Sequence, residues 1–83
     1  MDSMVPYRWM ESDPGRYKTA CDVARATGFE MQWAHQIGTG YLSCWSRDNR
    51  TILIQQLSDG VEVFSNHATP TRFSVLKTWL SVL

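Results

Sequence analysis

The nine residues after Gly28, FEMQWAHQI, constrain the fold of this chain more than any other stretch. Phe29, Met31, Trp33 and Ile37 are apolar, and Glu30, Gln32 and Gln36 fall between them. That is the period of a half-buried strand, with His35 the polar member of the inner set. Phe29, Trp33 and Ile37 also lie four apart, which is helical spacing. As a helix the segment would pack across the one before Gly28 as a helix-turn-helix, with Val23, Ala24, Gly28, Phe29, Ala34 and Ile37 near the motif's packed positions. As a strand it opens a small antiparallel sheet. One strand face buries Phe29, Met31 and Trp33 together, whereas a single helix does so with difficulty. Strand is the expectation.

The flanking residues supply the other elements. Asp13-Pro14 can start a helix, because Asp caps free N–H groups and Pro fits the first helical position. Tyr17, Ala20, Cys21 and Ala24 make one apolar stripe, and Gly28 offers a left-handed stop, so a helix is expected over about 14–27. Gly38-Thr39-Gly40 reads as a turn, 41–47 as a strand, and Asp48-Asn49 as a compact hairpin connection. Residues 51–57 are rich in β-branched types and read as the central strand. Ser58-Asp59-Gly60 turns the chain, and 61–64 forms a further strand. Thr69-Pro70 repeats the helix-start signal, and Phe73, Leu76, Leu80 and Leu83 form a final helical stripe. Residues 1–13 lack a clean period and read as an extended arm carrying Tyr7, Trp9 and Met10. The expected architecture is one α+β domain over 1–83, an arm plus a 14–83 core. It has two layers: an N-terminal helix, a three- to four-stranded antiparallel meander and a C-terminal helix.

Composition excludes several classes of function. Eight basic and eight acidic residues cancel, so no net field draws the chain to nucleic acid or an anionic membrane. Glu30, Gln32, His35 and Gln36 would also give a recognition helix without Lys or Arg, and direct nucleic-acid binding is not expected. A winged helix-turn-helix DNA-binding regulator, with the next hairpin as its wing, is the alternative reading. No apolar run is long enough to cross a bilayer, and MDSMVPYRWM is not built like a signal peptide. A cytoplasmic location in a bacterial host is therefore expected, with Cys21 and Cys44 as reduced thiols. Cys21, His35, Cys44 and His67 lack the close pairing of structural zinc ligands. Ser43 or Cys44 beside a histidine has neither a nucleophile elbow nor a phosphate loop around it. Neither catalysis nor a metal or other cofactor is expected.

Aromatic residues are in surplus: four Trp, three Tyr and three Phe. Trp33, Phe64 and Phe73 have inner positions, and Trp79 lies one step off the Leu76/Leu80 stripe, at its edge. Tyr41, Ser43 and Trp45 share one strand face, and Leu42 and Cys44 the other. In a two-layer fold only one of these faces is core. Exposed Trp, Tyr and Arg anchor protein interfaces, which makes Tyr7, Trp9, Tyr41, Trp45, Arg47 and Arg50 the candidate partner-binding patch. In the competing arrangement the arm folds back over the sheet and buries its own aromatics, and Arg47, Asp48 and Arg50 are a solvated, mutually screened trio.

Ala20-Cys21-Asp22, Trp33, Gly38-Thr39-Gly40-Tyr41, Asp48-Asn49, Ile52-Leu53-Ile54-Gln55 and a final helix with Trp79-Leu80 form a recognisable series. Over about residues 20–80 it resembles small phage anti-CRISPR proteins of the helix–sheet–helix type that block type I surveillance complexes (Cascade or Csy). The resemblance implies a phage or mobile-element inhibitor, without catalysis, that binds a subunit of a type I CRISPR-Cas complex. An acidic member of that group competes with DNA by charge. This chain is neutral and has no acidic tail, so steric or conformational blocking is the expected mode. Self-association as a homodimer is left open by the sequence.

Overall fold

A computed structural model describes residues 7–67 and 76–83. The elements are β1 (Tyr7–Glu11), a 3-10 turn (Pro14–Arg16), α1 (Tyr17–Ala26), β2 (Glu30–Ile37), β3 (Gly40–Arg47), β4 (Arg50–Leu57), β5 (Gly60–Ser65) and α2 (Leu76–Val82). The strands form one five-stranded antiparallel sheet in the order β1-β5-β4-β3-β2. The α+β class and both helices match expectation, but the sheet is larger than the three- to four-stranded meander. The additional strand comes from the expected arm. Tyr7 to Glu11 pair with β5, Tyr7 opposite Ser65 and Trp9 opposite Val63. A short edge strand has a single partner and needs no regular alternation of its own. The Thr69-Pro70 start and Phe73 lie outside the described residues.

The chain enters α1 through the 3-10 turn, where Asp13 Oδ1 accepts a hydrogen bond from the Gly15 N–H at 2.9 Å and Pro14 takes the first position. The α-helix itself starts only at Tyr17, later than the expected 14, and its cap residue Arg16 makes no side-chain capping bond. At the other end the Phe29 N–H reaches the Ala24 carbonyl (3.0 Å) and the Gly28 N–H reaches that of Arg25 (3.1 Å). This Schellman arrangement needs a left-handed residue after the cap, and Gly28 supplies it at φ 98°. The same bonds hold Phe29 against Ala24 in the core and release the chain into β2. Residues 30–37 are thus a strand, and no helix-turn-helix forms here.

The strand reading of this segment is right, but the expected single inner face is not. Met31 pairs with Trp45 and Trp33 with Cys44, so a bulge lies between Met31 and Trp33. A bulge adds one residue and reverses the side-chain parity beyond it. Phe29 is buried, whereas Trp33 and Ile37 stand on the opposite face and are exposed.

Pairing also decides which face of β3 is core. The Asp48-Asn49 hairpin sets Trp45 opposite Ile52 and Ser43 opposite Ile54, and β5 sets Ile54 opposite Val63. Trp45, Ile52, Ile54, Val61 and Val63 therefore form an inner face, and they pack with Ala20 and Ala24 of α1 and with Leu76, Trp79, Leu80 and Leu83 at the C-terminal helix. Trp79 lies fully inside that cluster rather than at a stripe edge, because spacings of three and four from Leu76 and Leu83 place it on their side of the helix. Both helices cover this one face of the sheet.

Candidate docking face

The expected aromatic and arginine patch does not form as a surface. Trp45 is 1% exposed. Its Nε1 donates to Ser43 Oγ at 2.8 Å, and the Arg25 guanidinium lies 5.1 Å over its ring. Strand parity is as expected, but the face bearing Tyr41, Ser43 and Trp45 is the one under the helices. Tyr41, at the sheet's end, remains 45% exposed and stacks on Tyr17, with ring centroids 5.9 Å apart. Arg47 donates from a terminal guanidinium nitrogen to the Thr27 carbonyl (2.6 Å) and covers the Phe29 ring at 4.4 Å. Arg50 Nε donates to the main-chain oxygen of Leu83 at 3.0 Å. Each arginine, half-buried, thus holds the chain at one end of a helix rather than standing in a fully solvated trio. Tyr7 and Trp9 have a register in β1, but their side chains lie outside the described residues.

The other face of the sheet carries no helix among the described residues. One register line across it joins Phe64, Leu53, Cys44 and Trp33 on four successive strands. The next joins Met10, Glu62, Gln55, Leu42 and His35, and Ile37 lies beyond His35 on the same side of β2. Burial separates the two faces. The inner residues are almost all fully enclosed, while on the outer face Cys44 is buried and Leu42, Leu53, Gln55, Leu57 and Phe64 are half-buried. Exposure peaks toward the edges, with Met10 55%, Trp33 40% and Ile37 54% accessible. The Trp33 and His35 rings sit 5.1 Å apart, tilted by 33°. Gln32 at the bulge donates to Ser46 Oγ at 2.7 Å, which fixes the kinked backbone just before Trp33.

The signal for this face was present in the sequence. A two-residue hairpin at Asp48-Asn49 already places Trp45 beside Ile52 and leaves Leu42 and Cys44 facing Gln55 and Leu53. The more apolar of those two sets is the buried one.

The polar cluster under α1 is built for packing. Ser43 Oγ is fully buried and receives the Tyr17 hydroxyl (2.9 Å) and the Trp45 indole, and Cys21 Sγ lies 3.9 Å away. Burial pushes the Tyr17 hydroxyl and the Cys21 thiol up, and it does the same to Cys44 on the outer face. A thiol held in its protonated form is a poor nucleophile. No group of three potential metal ligands occurs among the described residues, and no described helix is long and apolar enough to cross a membrane. A groove of about 480 Å³ lies at one end of the sheet, beside the Gly38–Gly40 turn, Pro14 and Gln56. Gln56 Nε2 already donates into its wall, to the Pro14 carbonyl at 2.8 Å.

Comparison with known proteins places no relative beside this geometry: no family model, curated protein or solved structure matches the chain.

Proposed function

We propose that this is a non-enzymatic binding protein that acts by seating the outer face of its sheet on a protein partner. The observation that carries this reading is the apolar line from Phe64 through Leu53 and Cys44 to Trp33, on a face that no described helix covers. Trp33 and Ile37 are exposed on that face on either side of His35, and exposed apolar patches commonly mark contact sites. Trp33 also has the features of an anchor: a large ring on a regular strand, oriented by its neighbour His35, with little conformational freedom to lose on binding. The protonated thiols and the Ser43 cluster, satisfied by its own neighbours, support binding over catalysis.

The partner we propose is a subunit of a type I CRISPR-Cas surveillance complex, and the support for it is the sequence resemblance over residues 20–80. With no net charge, the chain would block that complex by occupying protein surface rather than by imitating DNA. Affinity capture from cells carrying a type I complex, followed by mass spectrometry, tests both parts. The wild type is expected to retain a Cas subunit that the double variant Trp33→Ser, Ile37→Ser releases. Recovery of no Cas subunit would remove the partner. Retention of the same subunit by the double variant would remove the outer face as the contact surface.

A further inference from the structure

The edge of the sheet at β2 has its own chemistry, carried by its backbone groups, although Trp33 and Ile37 also stand on the outer face. β2 is last in the strand order, and all eight of its residues are exposed. Monomeric proteins protect such an edge with Lys, Pro, inward charges or bulges. Between Trp33 and Ile37 there is no Pro and no Lys, Arg, Asp or Glu. The bulge between Met31 and Trp33 protects only the first part of the strand. Beyond it, five consecutive residues keep regular pairing with β3.

The direction of the backbone groups follows from the hairpin. The Gly38-Thr39 turn closes on Ile37 and Gly40, and Gly38 takes the positive φ (62°) required at the first position of a II′ turn. With that closing pair hydrogen-bonded, antiparallel alternation directs the N–H and C=O of Ile37, His35 and Trp33 toward β3. Those of Gln36 and Ala34 then point outward, away from every described strand.

We infer that this edge pairs with the β2 edge of a second copy of the chain, antiparallel and about a two-fold axis through His35. In that register Ala34 of each copy faces Gln36 of the other. The outward backbone groups then meet as two hydrogen-bonded pairs, each exchanging both of its bonds. Trp33 of each copy lies opposite Ile37 of the other, an aromatic–β-branched pair of the kind that stabilises sheets, and the two His35 rings face each other on the axis. The apolar line on the outer face continues across the junction into a ten-stranded sheet. Charge favours the second copy as occupant, because the paired segment is uncharged and each chain has zero net charge, so no repulsion opposes approach. Five paired residues extend only about 17 Å. The contact therefore falls in the small class, under about 1,200 Å², where pairing is weak and reversible.

Sedimentation velocity of the whole chain from micromolar to millimolar concentration tests this, with circular dichroism confirming that each variant folds. The wild type is expected to pass from monomer to dimer. His35→Lys and His35→Glu, both at an exposed position, are each expected to stay monomeric because like charges meet on the axis. An equimolar mixture of the two is expected to recover the dimer. A wild type that stays monomeric at millimolar concentration would overturn the pairing. So would dimers that persist in either single variant, or a mixture that fails to associate.

Discussion

Trp45 Nε1 donates to the hydroxyl of Ser43, two positions back on the same strand and 2.8 Å away. The Tyr17 hydroxyl donates to the same oxygen from α1 at 2.9 Å. One small polar atom under the helix layer thus accepts from a fully buried indole and ties the first helix to the sheet. It also fixes the ring of Trp45 on the inner face that strand pairing assigns to it.

Replacing Ser43 by Ala removes that acceptor while leaving the donors in place. The buried indole N–H would then have no partner, at a cost of about 1–3 kcal/mol. Urea unfolding followed by tryptophan fluorescence should show a lower midpoint with an unchanged slope. A midpoint equal to that of the wild type would show that the Ser43 bonds contribute nothing net.

The tryptophans should separate sharply in their effects on stability. Trp45→Ala empties a fully enclosed site and is expected to cost about 3–5 kcal/mol. Trp33→Ala removes a ring that is 40% exposed and should cost about 1 kcal/mol or less. Thermal denaturation of both variants checks the order, and a Trp33 cost equal to that of Trp45 would place Trp33 in the core.

Two-fold parity was legible in the sequence, and the identity of the core face was legible only in part. Alternation marked β3, β4 and β5 because each is half-buried, and the Gly28 stop marked the end of α1 because only a left-handed residue closes it. The bulge at β2 has no compositional mark. Met31 and Trp33 look equivalent in sequence, yet they belong to opposite faces once the extra residue is inserted. Trp45 was misplaced for another reason. Alternation alone does not say which face the helices cover, and only the hairpin register to Ile52 does. The roles of Arg47 and Arg50 were not legible at all, since their acceptors, the Thr27 and Leu83 main-chain oxygens, are far away in sequence.

Alkaline pH should weaken the fold. Burial raises the folded-state pKa of the Cys21 and Cys44 thiols and the Tyr17 hydroxyl. The folded state therefore holds these protons more tightly than the unfolded chain does. That contribution is complete below the ordinary thiol range, about 8.5, and is lost as pH rises through the raised values. Urea midpoints measured between pH 7 and 10.5 are expected to be level at first and then fall. A rise in stability over the alkaline part would reverse the sign worked out here.

Arg50→Ala should loosen the C-terminal helix specifically. It removes the 3.0 Å bond to the Leu83 oxygen, a charged-donor bond worth about 1.5–3 kcal/mol if fully formed, with partial exposure lowering that figure. Amide exchange should accelerate in α2 and remain slow in β3 and β4. Uniform acceleration through the sheet would mean that the bond supports the whole fold rather than one helix.

The contact surface itself is tested most directly by equilibrium titration of a purified type I surveillance complex with three forms of the protein. These are the wild type, the outer-face variant Trp33→Ser, Ile37→Ser, and the helix-side variant Lys18→Ser, Lys77→Ser. Loss of an anchoring aromatic costs at least about 2 kcal/mol, roughly thirty-fold in affinity. The outer-face variant is expected to weaken by that much, and the helix-side variant to stay within about two-fold of the wild type. Unchanged affinity in the outer-face variant, with loss in the helix-side one, would put the contact on the opposite side of the molecule.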